Sequence, residues 1–265
     1  MVNVKLKNAE ELAVMRTSGK LLAMVFDYLD SVIQVGISTM DINNLAEQYI
    51  VDQLNARPAS KGQYDYQYVL NTSVNHVVCH GIPADTQKLK SGDIINVDIT
   101  LEQGGFIADS SKMYMIGDVL PLAKRLVEQT YEAMWQGIRA VKPGATLGDV
   151  GHAIQRHAEQ QGYSVVREFC GHGIGREMHE EPQVLHYGEP GEGLVLQEGM
   201  VFTIEPMINQ GKAKVKVKKD GWTVVTTDKK LSAQWEHTIA VTSDGYEVLT
   251  LRADEQHFAE QAKAL

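Results

Sequence analysis

Between Phe169 and Val184 the chain places two histidines, three glycines and three glutamates within sixteen positions, a density of reactive groups that an ordinary core element does not carry. Glycines at 171, 173 and 175 allow tight turning and close approach, so His172 is expected on a bend. His179 follows seven residues later, whereas the paired ligands of a helical zinc motif lie four apart. The two imidazoles therefore have separate jobs, one as a ligand and the other as a hydrogen-bond donor. Carboxylates supply the rest of a metal chemistry. Asp98 lies in Asn-Val-Asp-Ile-Thr, Glu205 in Phe-Thr-Ile-Glu-Pro and Glu236 in Gln-Trp-Glu-His-Thr, while Asp109 stands across the Gly104-Gly105 reversal from Asp98. Taken singly, an acid among strand hydrophobics alternates outward into solvent. Taken together in one cleft, four carboxylates repel one another unless protonated or neutralised, and two divalent cations would balance them. An oxygen-rich set with the single imidazole His172 suits manganese, iron or cobalt as well as zinc, and is unlike a closed structural zinc site.

The elements that must position these groups recur. Cys79-His80-Gly81-Ile82 echoes Cys170-Gly171-His172-Gly173-Ile174 in its His-Gly-Ile step, and Leu89-x-x-Gly92 through Asp98 matches Leu196-x-x-Gly199 through Glu205. Earlier, Gly36-Ile37-Ser38-Thr39-Met40-Asp41 matches Gly144-Ala145-Thr146-Leu147-Gly148-Asp149. The order of the matches predicts an internal pseudo-repeat, roughly 8–117 and 121–250, within a single domain over 1–265, its two halves facing each other across a cleft. Two long units are not a solenoid, whose repeats are shorter and more numerous.

Asn8-Ala9-Glu10-Glu11 is a helix start with a capping box, and its apolar periodicity runs to about Val35. Ser38-x-x-Asp41 opens a second helix reaching about Leu54, stopped by Arg57-Pro58. Ile94 to Leu101 and Phe106 to Ile116 form a hairpin about Gly104-Gly105. A third helix spans about Pro121 to Val141, and a fourth runs from Thr146-x-x-Asp149 to Gly162. Strands follow near 163–169, 200–209, 222–226, 234–243 and 246–250, with a terminal helix from about Asp254. Helix, helix and antiparallel strands, repeated, give an α+β class.

Composition sets the bounds. The 265 residues are 43% hydrophobic and 22% charged, as in a globular chain with a substantial core. No apolar run is long enough to span a membrane, and the N-terminus lacks the basic then apolar layout of a secretory signal, which places the protein in the cytoplasm. The net charge of −9 argues against a general nucleic-acid binder. Lys212, Lys214, Lys216 and Lys218 alternate with apolar residues, the pattern of a solvated edge strand with a lysine face. Cys79 and Cys170 each sit beside a His-Gly step, and without a secretory signal they are expected as free thiols.

Over nearly its whole length the sequence resembles the methionine aminopeptidases, specifically the short type I enzymes of the pita-bread fold. The motifs are Cys-His-Gly-Ile-Pro at 79–83, Asn-Val-Asp-Ile-Thr at 96–100, Asp109-Ser110-Ser111-Lys112, Gly-His-Gly-Ile-Gly-Arg at 171–176, His179-Glu180-Glu181-Pro182, Thr-Ile-Glu-Pro-Met at 203–207 and Gln-Trp-Glu-His-Thr at 234–238. The resemblance implies removal of an N-terminal methionine ahead of a small residue, with Asp98, Asp109, His172, Glu205 and Glu236 holding two divalent cations (cobalt, manganese, iron(II), zinc or nickel) and a bridging water as nucleophile. It implies that His80 and His179 contact substrate and steady the tetrahedral intermediate, and that Glu205 relays the proton. Asn75, Val77 and Ser232 match backbone positions that hold a monovalent cation. The partners it implies are nascent polypeptide N-termini, with a transient ribosome contact, no specific nucleic acid and no membrane, for a monomer.

Two departures bear on substrate preference. Members of that family commonly carry Tyr-His-Gly-Tyr-Pro and then a cysteine in the methionine pocket, whereas this chain reads Tyr64-Asp65-Tyr66-Gln67-Tyr68 with Asn71 at the cysteine's place. Met178 stands where an aromatic is usual, while Tyr66 and Trp222 match pocket positions. Tyr66 or Tyr68 is expected to satisfy the Asn71 amide. Related peptidases of the prolidase or aminopeptidase P kind, and a metal-free binding module on the same fold, are the competing readings.

Overall fold

Asn8 accepts a hydrogen bond from the Glu11 amide while the Glu11 carboxylate accepts from the Asn8 amide, and this reciprocal cap starts the first helix. The computed structural model describes residues 3–256. Its first half contains α1 (Ala9–Asp30), α2 (Thr39–Gln48), β1 (Arg57–Pro58), β2 (Leu70–Val74), β3 (Val77–Cys79), β4 (Ile94–Gln103) and β5 (Phe106–Met115). The second contains α3 (Pro121–Arg139), α4 (Leu147–Gln160), β6 (Ser164–Val165), β7 (Gly171–Gly173), β8 (Glu180–Val184), β9 (Val201–Ile204), β10 (Met207–Asn209), β11 (Val215–Val217), β12 (Val224–Thr226), β13 (Ser232–Gln234), β14 (His237–Val241) and β15 (Tyr246–Val248).

Every strand pairing is antiparallel. In the first half β4 carries β5 along one side and β2 followed by β1 along the other; in the second, the order is β15-β14-β9-β7-β8. Each half has its own apolar core. Leu22, Phe26, Leu29, Ile42 and Ile50 pack against Leu70, Val97 and Ile99. Trp135, Ile138, Val150 and Ile154 pack against Phe202, Ile204 and Ile239.

The same backbone exchange closes the helix pair in both halves. The Gly36 amide donates to the Leu89 carbonyl and the Leu89 amide to Ile37, just as Gly144 donates to Leu196 and Leu196 to Ala145. Gly36 and Gly144 have φ of 93° and 86°, a region that costs glycine nothing. Ser38 with Asp41 and Thr146 with Asp149 then form the next capping boxes.

Several boundaries differ from expectation. The strands expected near 200–209 and 234–243 are each broken, at Glu205-Pro206 into β9 and β10 and at Trp235-Glu236 into β13 and β14, which lie in different sheets. The first helix ends at Asp30 rather than Val35, because the Gly36–Leu89 exchange draws the chain off the helix axis. The second passes after Gln48 into a π-helix, Tyr49–Gln53, in which Ile50 is buried and Tyr49 stacks on Tyr28 with ring centroids 4.4 Å apart. Arg57–Pro58 is not merely a stop, since it pairs with Leu101 and Glu102 as an edge strand, where a proline is tolerated. Of the predicted terminal helix only the turn Ala253–Glu255 falls among the described residues. The lysine-bearing β11 is an edge strand with Lys214, Lys216 and Lys218 exposed. Among the described residues no helix is long and apolar enough to cross a membrane.

Candidate metal centre and substrate pocket

Strand register brings the acids together. In the β4–β5 hairpin Asp98 faces Ser111 and Thr100 faces Asp109, so Asp98 and Asp109 are diagonal neighbours on one face. Glu205 follows the last residue of β9, and His237 pairs with Ile204, which sets Glu236 beside the end of β9. Ser111 and Glu236 exchange backbone hydrogen bonds at 3.4 and 3.2 Å, joining the two halves at the acids themselves. His172 does not sit on a bend as expected; it is the middle residue of β7. Its flanking glycines serve close approach instead. A Cβ on Gly171 would lie 2.4 Å from the Thr203 carbonyl oxygen, and one on Gly173 would lie 2.1 Å from that of Glu181.

All five predicted ligands line one cavity of about 590 Å3. Asp109, His172 and Glu236 each offer a ligand atom within 4.8 Å of the others, and His172 Nε2 lies 3.5 Å from Glu205 Oε1. Burial pushes the Asp98 carboxyl up to about 7 and that of Glu205 up to about 8, the latter helped by the charge of Asp98. Asp109 and Glu236 are raised well above the carboxylate range by burial and by the neighbouring acids. Burial and the adjacent His179 lower His172 to about 4, which keeps its imidazole neutral and able to ligate. Asp109 Oδ1 is buried with no hydrogen-bond partner. A crowded, desolvated set of four acids and a neutral imidazole, with an acceptor oxygen left over, fits divalent cations.

Supporting groups that the sequence reading passed over complete the arrangement. Thr203 Oγ1 accepts from the His172 amide at 3.0 Å and donates to Glu205 Oε1 at 2.8 Å, so one hydroxyl ties two candidate ligands. Gln234 Nε2 donates to Glu205 Oε2 at 3.3 Å, and the neutral, fully buried His186 accepts from the Glu205 amide. Thr203 was legible in principle, being two residues before Glu205 on a strand and hence on its face. His186 carried no local signal.

Both predicted catalytic histidines reach the cavity. His80 is packed edge-on against Phe169 and Trp222, with centroids 5.6 and 6.3 Å away, and burial with the nearby His179 lowers it to about 4. His179 sits at the rim, its ring edge-on to His172 at 4.4 Å, and burial lowers its pKa too. Tyr66, Asn71, Met178 and Trp222 line the same space, with Tyr66 and Trp222 in ring contact at 4.8 Å. The Tyr66 hydroxyl donates to the Leu70 carbonyl, not to Asn71, and Asn71 Oδ1 is buried without a partner. The expectation that Tyr66 or Tyr68 satisfies the amide is thus corrected: the Tyr66 hydroxyl is spent on the backbone one residue earlier, and Asn71 Oδ1 accepts from neither ring. Cys79 and Cys170 are free thiols facing the cavity. Away from it, Asn75 (φ 55°) accepts the Ser232 amide on its carbonyl, while Val77 lies two residues on in β3.

Known proteins share the chain's sequence and fold. The model of metallopeptidase family M24 matches residues 13–243. The methionine aminopeptidase of Salmonella typhimurium is 48% identical over 252 residues, covering 95% of this chain and 96% of that protein. The crystal structure of methionine aminopeptidase from Rickettsia prowazekii superposes with a TM-score of 0.92 at 48% identity, covering 94% of this chain and all of that one. The prolidase of Pyrococcus horikoshii superposes at 0.73 with 21% identity, a likeness of fold alone that spans 63% of the prolidase chain. The fold is that of a pita-bread metallopeptidase, and the chain belongs to family M24. Within that family its place is among the methionine aminopeptidases.

Proposed function

We infer that the protein removes the N-terminal methionine from peptides and nascent proteins, preferring a small second residue. The observation that carries this reading is the convergence of Asp98, Asp109, His172, Glu205 and Glu236 on a cavity whose other wall is Tyr66, Met178 and Trp222. An aromatic and thioether wall suits an unbranched apolar side chain. Asp98, Asp109, His172, Glu205 and Glu236 would hold two divalent cations, which when bound would supply Lewis acidity for the scissile carbonyl and lower the pKa of a water. Glu205 takes a proton from the attacking water and returns it to the leaving amine. His80 and His179, neutral near pH 7, each keep one N–H to donate where charge develops on the carbonyl oxygen and the amine.

Manganese, iron(II) and cobalt, with zinc or nickel as alternatives, are the cations the donor set favours. A monovalent cation is proposed near Asn75, Val77 and Ser232, supported by the turn that brings Asn75 and Ser232 into backbone contact. The substrates are nascent N-termini in the cytoplasm, met as a monomer. A transient ribosome contact is supported by the exposed lysines along the β11 edge, Lys214, Lys216 and Lys218. A non-catalytic binding module on this fold is disfavoured because every donor is retained and faces one cavity.

The test is hydrolysis of short peptides differing only in their first residue, by chelated protein with each metal returned in turn. Activity is expected to vanish on chelation and return with manganese, iron(II) or cobalt. Full activity without metal, or a clear preference for another first residue, would overturn the reading.

A further inference from the structure

Tyr64 stands at the mouth of the cavity, 65% exposed, on a turn in which it and Asp65 both adopt left-handed backbone angles, φ 50° and 64°. Non-glycine residues seldom take that conformation, and two in succession point the Tyr64 side chain away from the apolar interior. Its ring lies over that of His179 with centroids 5.9 Å apart and planes 29° from parallel, and its hydroxyl is 3.3 Å from His179 Nδ1. The two histidines of the site are therefore held differently. His80 is clamped between Phe169 and Trp222 inside the protein. His179 is on the exposed rim, flanked on one side by His172 and on the other by Tyr64.

We propose that Tyr64 is the positioning residue of His179: its hydroxyl donates to Nδ1, which selects the tautomer with its proton on Nε2, and its ring holds the imidazole against the cavity. A hydroxyl can donate or accept, but a neutral imidazole has one N–H, and the nitrogen turned to the cavity needs it to act as a donor. The inference rests on the proposed role of His179 in the aminopeptidase reading. The aromatic hydroxyl in that turn reaches across the rim to a residue 115 positions away.

The experiment uses full-length, metal-reconstituted protein and the variants Tyr64→Phe, Tyr64→Ala, His179→Ala and Tyr64→Phe/His179→Ala, assayed on a Met-Ala peptide. Tyr64→Phe should lower kcat roughly threefold to tenfold, the range for losing one neutral hydrogen bond, with KM little changed. Tyr64→Ala should lower it further because stacking is lost as well. In the His179→Ala background Tyr64→Phe should do nothing more, since a residue acting through another is coupled to it. Ring 15N shifts of His179 should show a bare Nδ1 and a protonated Nε2 in the wild type, and a mixture of tautomers in Tyr64→Phe. An unaltered kcat in Tyr64→Phe, equal losses in both backgrounds, or a protonated Nδ1 in the wild type would each overturn the proposal. Should the wild-type protein cleave no N-terminal methionine with any metal, the functional reading fails on its own account, and the 15N shifts still decide whether Tyr64 sets the tautomer.

Discussion

Asn71 brings an amide into a pocket walled by aromatic rings, directly opposite Asp98 in the β2–β4 register. Its Oδ1 is buried and unpaired, and such a group costs about 1–3 kcal/mol on protein-derived scales. The residue as a whole is only half-buried, and seating a methionine side chain beside it strips water from the rest of the amide. Asn71→Cys is therefore expected to raise turnover on Met-Ala or Met-Gly peptides by roughly fivefold or more, taking the lower end of that cost. Unchanged turnover in a folded variant would mean that substrate seats itself without meeting the amide. Glu205 has a different burden. It accepts from Thr203 and Gln234 and borders His172, so it is held where one carboxylate can both ligate and pass a proton. Glu205→Gln should lower kcat by about 10²–10⁴, the usual contribution of a positioned acid–base group, while weakening substrate binding far less. Near-normal turnover with normal metal content would remove Glu205 from the proton path.

One level up, β5, which bears Asp109, and Glu236, just ahead of β14, rest on a buried polar cluster. Arg252 is wholly buried between the rings of Phe26 and Trp235, pairs with Glu255 at 2.7 Å, and donates to Ser110 Oγ at 3.2 Å. Ser110 Oγ in turn donates to the Glu236 carbonyl at 2.7 Å. Glu255 also meets His237 and Tyr131, and although burial opposes its charge, the attraction of His237 and Arg252 holds its carboxyl far below the usual range. Removing one partner of such a pair leaves an uncompensated buried charge. Glu255→Ala should therefore destabilise the protein by about 3–5 kcal/mol, measured by chemical denaturation, and should weaken metal binding by loosening Ser110. A loss below about 1 kcal/mol, the worth of an exposed ion pair, would show that solvent reaches Arg252.

At the scale of the whole molecule, the two halves meet at acids that repel one another, so stability, metal and pH are linked. The folded metal-free protein holds protons on Asp98 and Glu205 up to about pH 7 and 8, whereas unfolded carboxyls release theirs near pH 4. Between those limits the acids bind more protons in the folded state than in the unfolded one and make stability fall as pH rises. Below about pH 6.5 the buried histidines His80, His172 and His186 oppose them, being neutral when folded and protonated when unfolded. Divalent cations replace the protons on the acids. Calorimetry of chelated protein is therefore expected to give a melting temperature that declines from about pH 6.5 to pH 8, and the gain in Tm on adding manganese or cobalt should grow over the same interval. Far below that window stability is lost again, because Glu255, Asp41 and Asp149 have depressed carboxyls whose stabilisation disappears on protonation. A chelated protein whose stability does not fall between about pH 6.5 and 8 would contradict the crowding of the acids.

Where structure is decided by residues a few positions apart, the sequence alone was sufficient. The caps at Asn8, Ser38 and Thr146 each close with an acid three residues later, and the Gly104-Gly105 reversal sets the long hairpin. The acids and histidines of the site were legible from their local motifs, and the tertiary structure brings all of them to one cavity. What the sequence could not decide depends on groups far apart in the chain. Whether His172 lies on a bend or a strand turns on how near Thr203 and Glu181 approach its flanking glycines. Whether Asn71 finds a partner turns on where the Tyr66 hydroxyl is already spent. The clasp of Tyr64 on His179 and the Arg252 link to Ser110 join residues 115 and 142 positions apart. Backbone hydrogen-bonding needs and side-chain periodicity act within a few residues and leave a readable pattern, whereas a long-range contact arises only when packing of the two cores has set the distance between its partners.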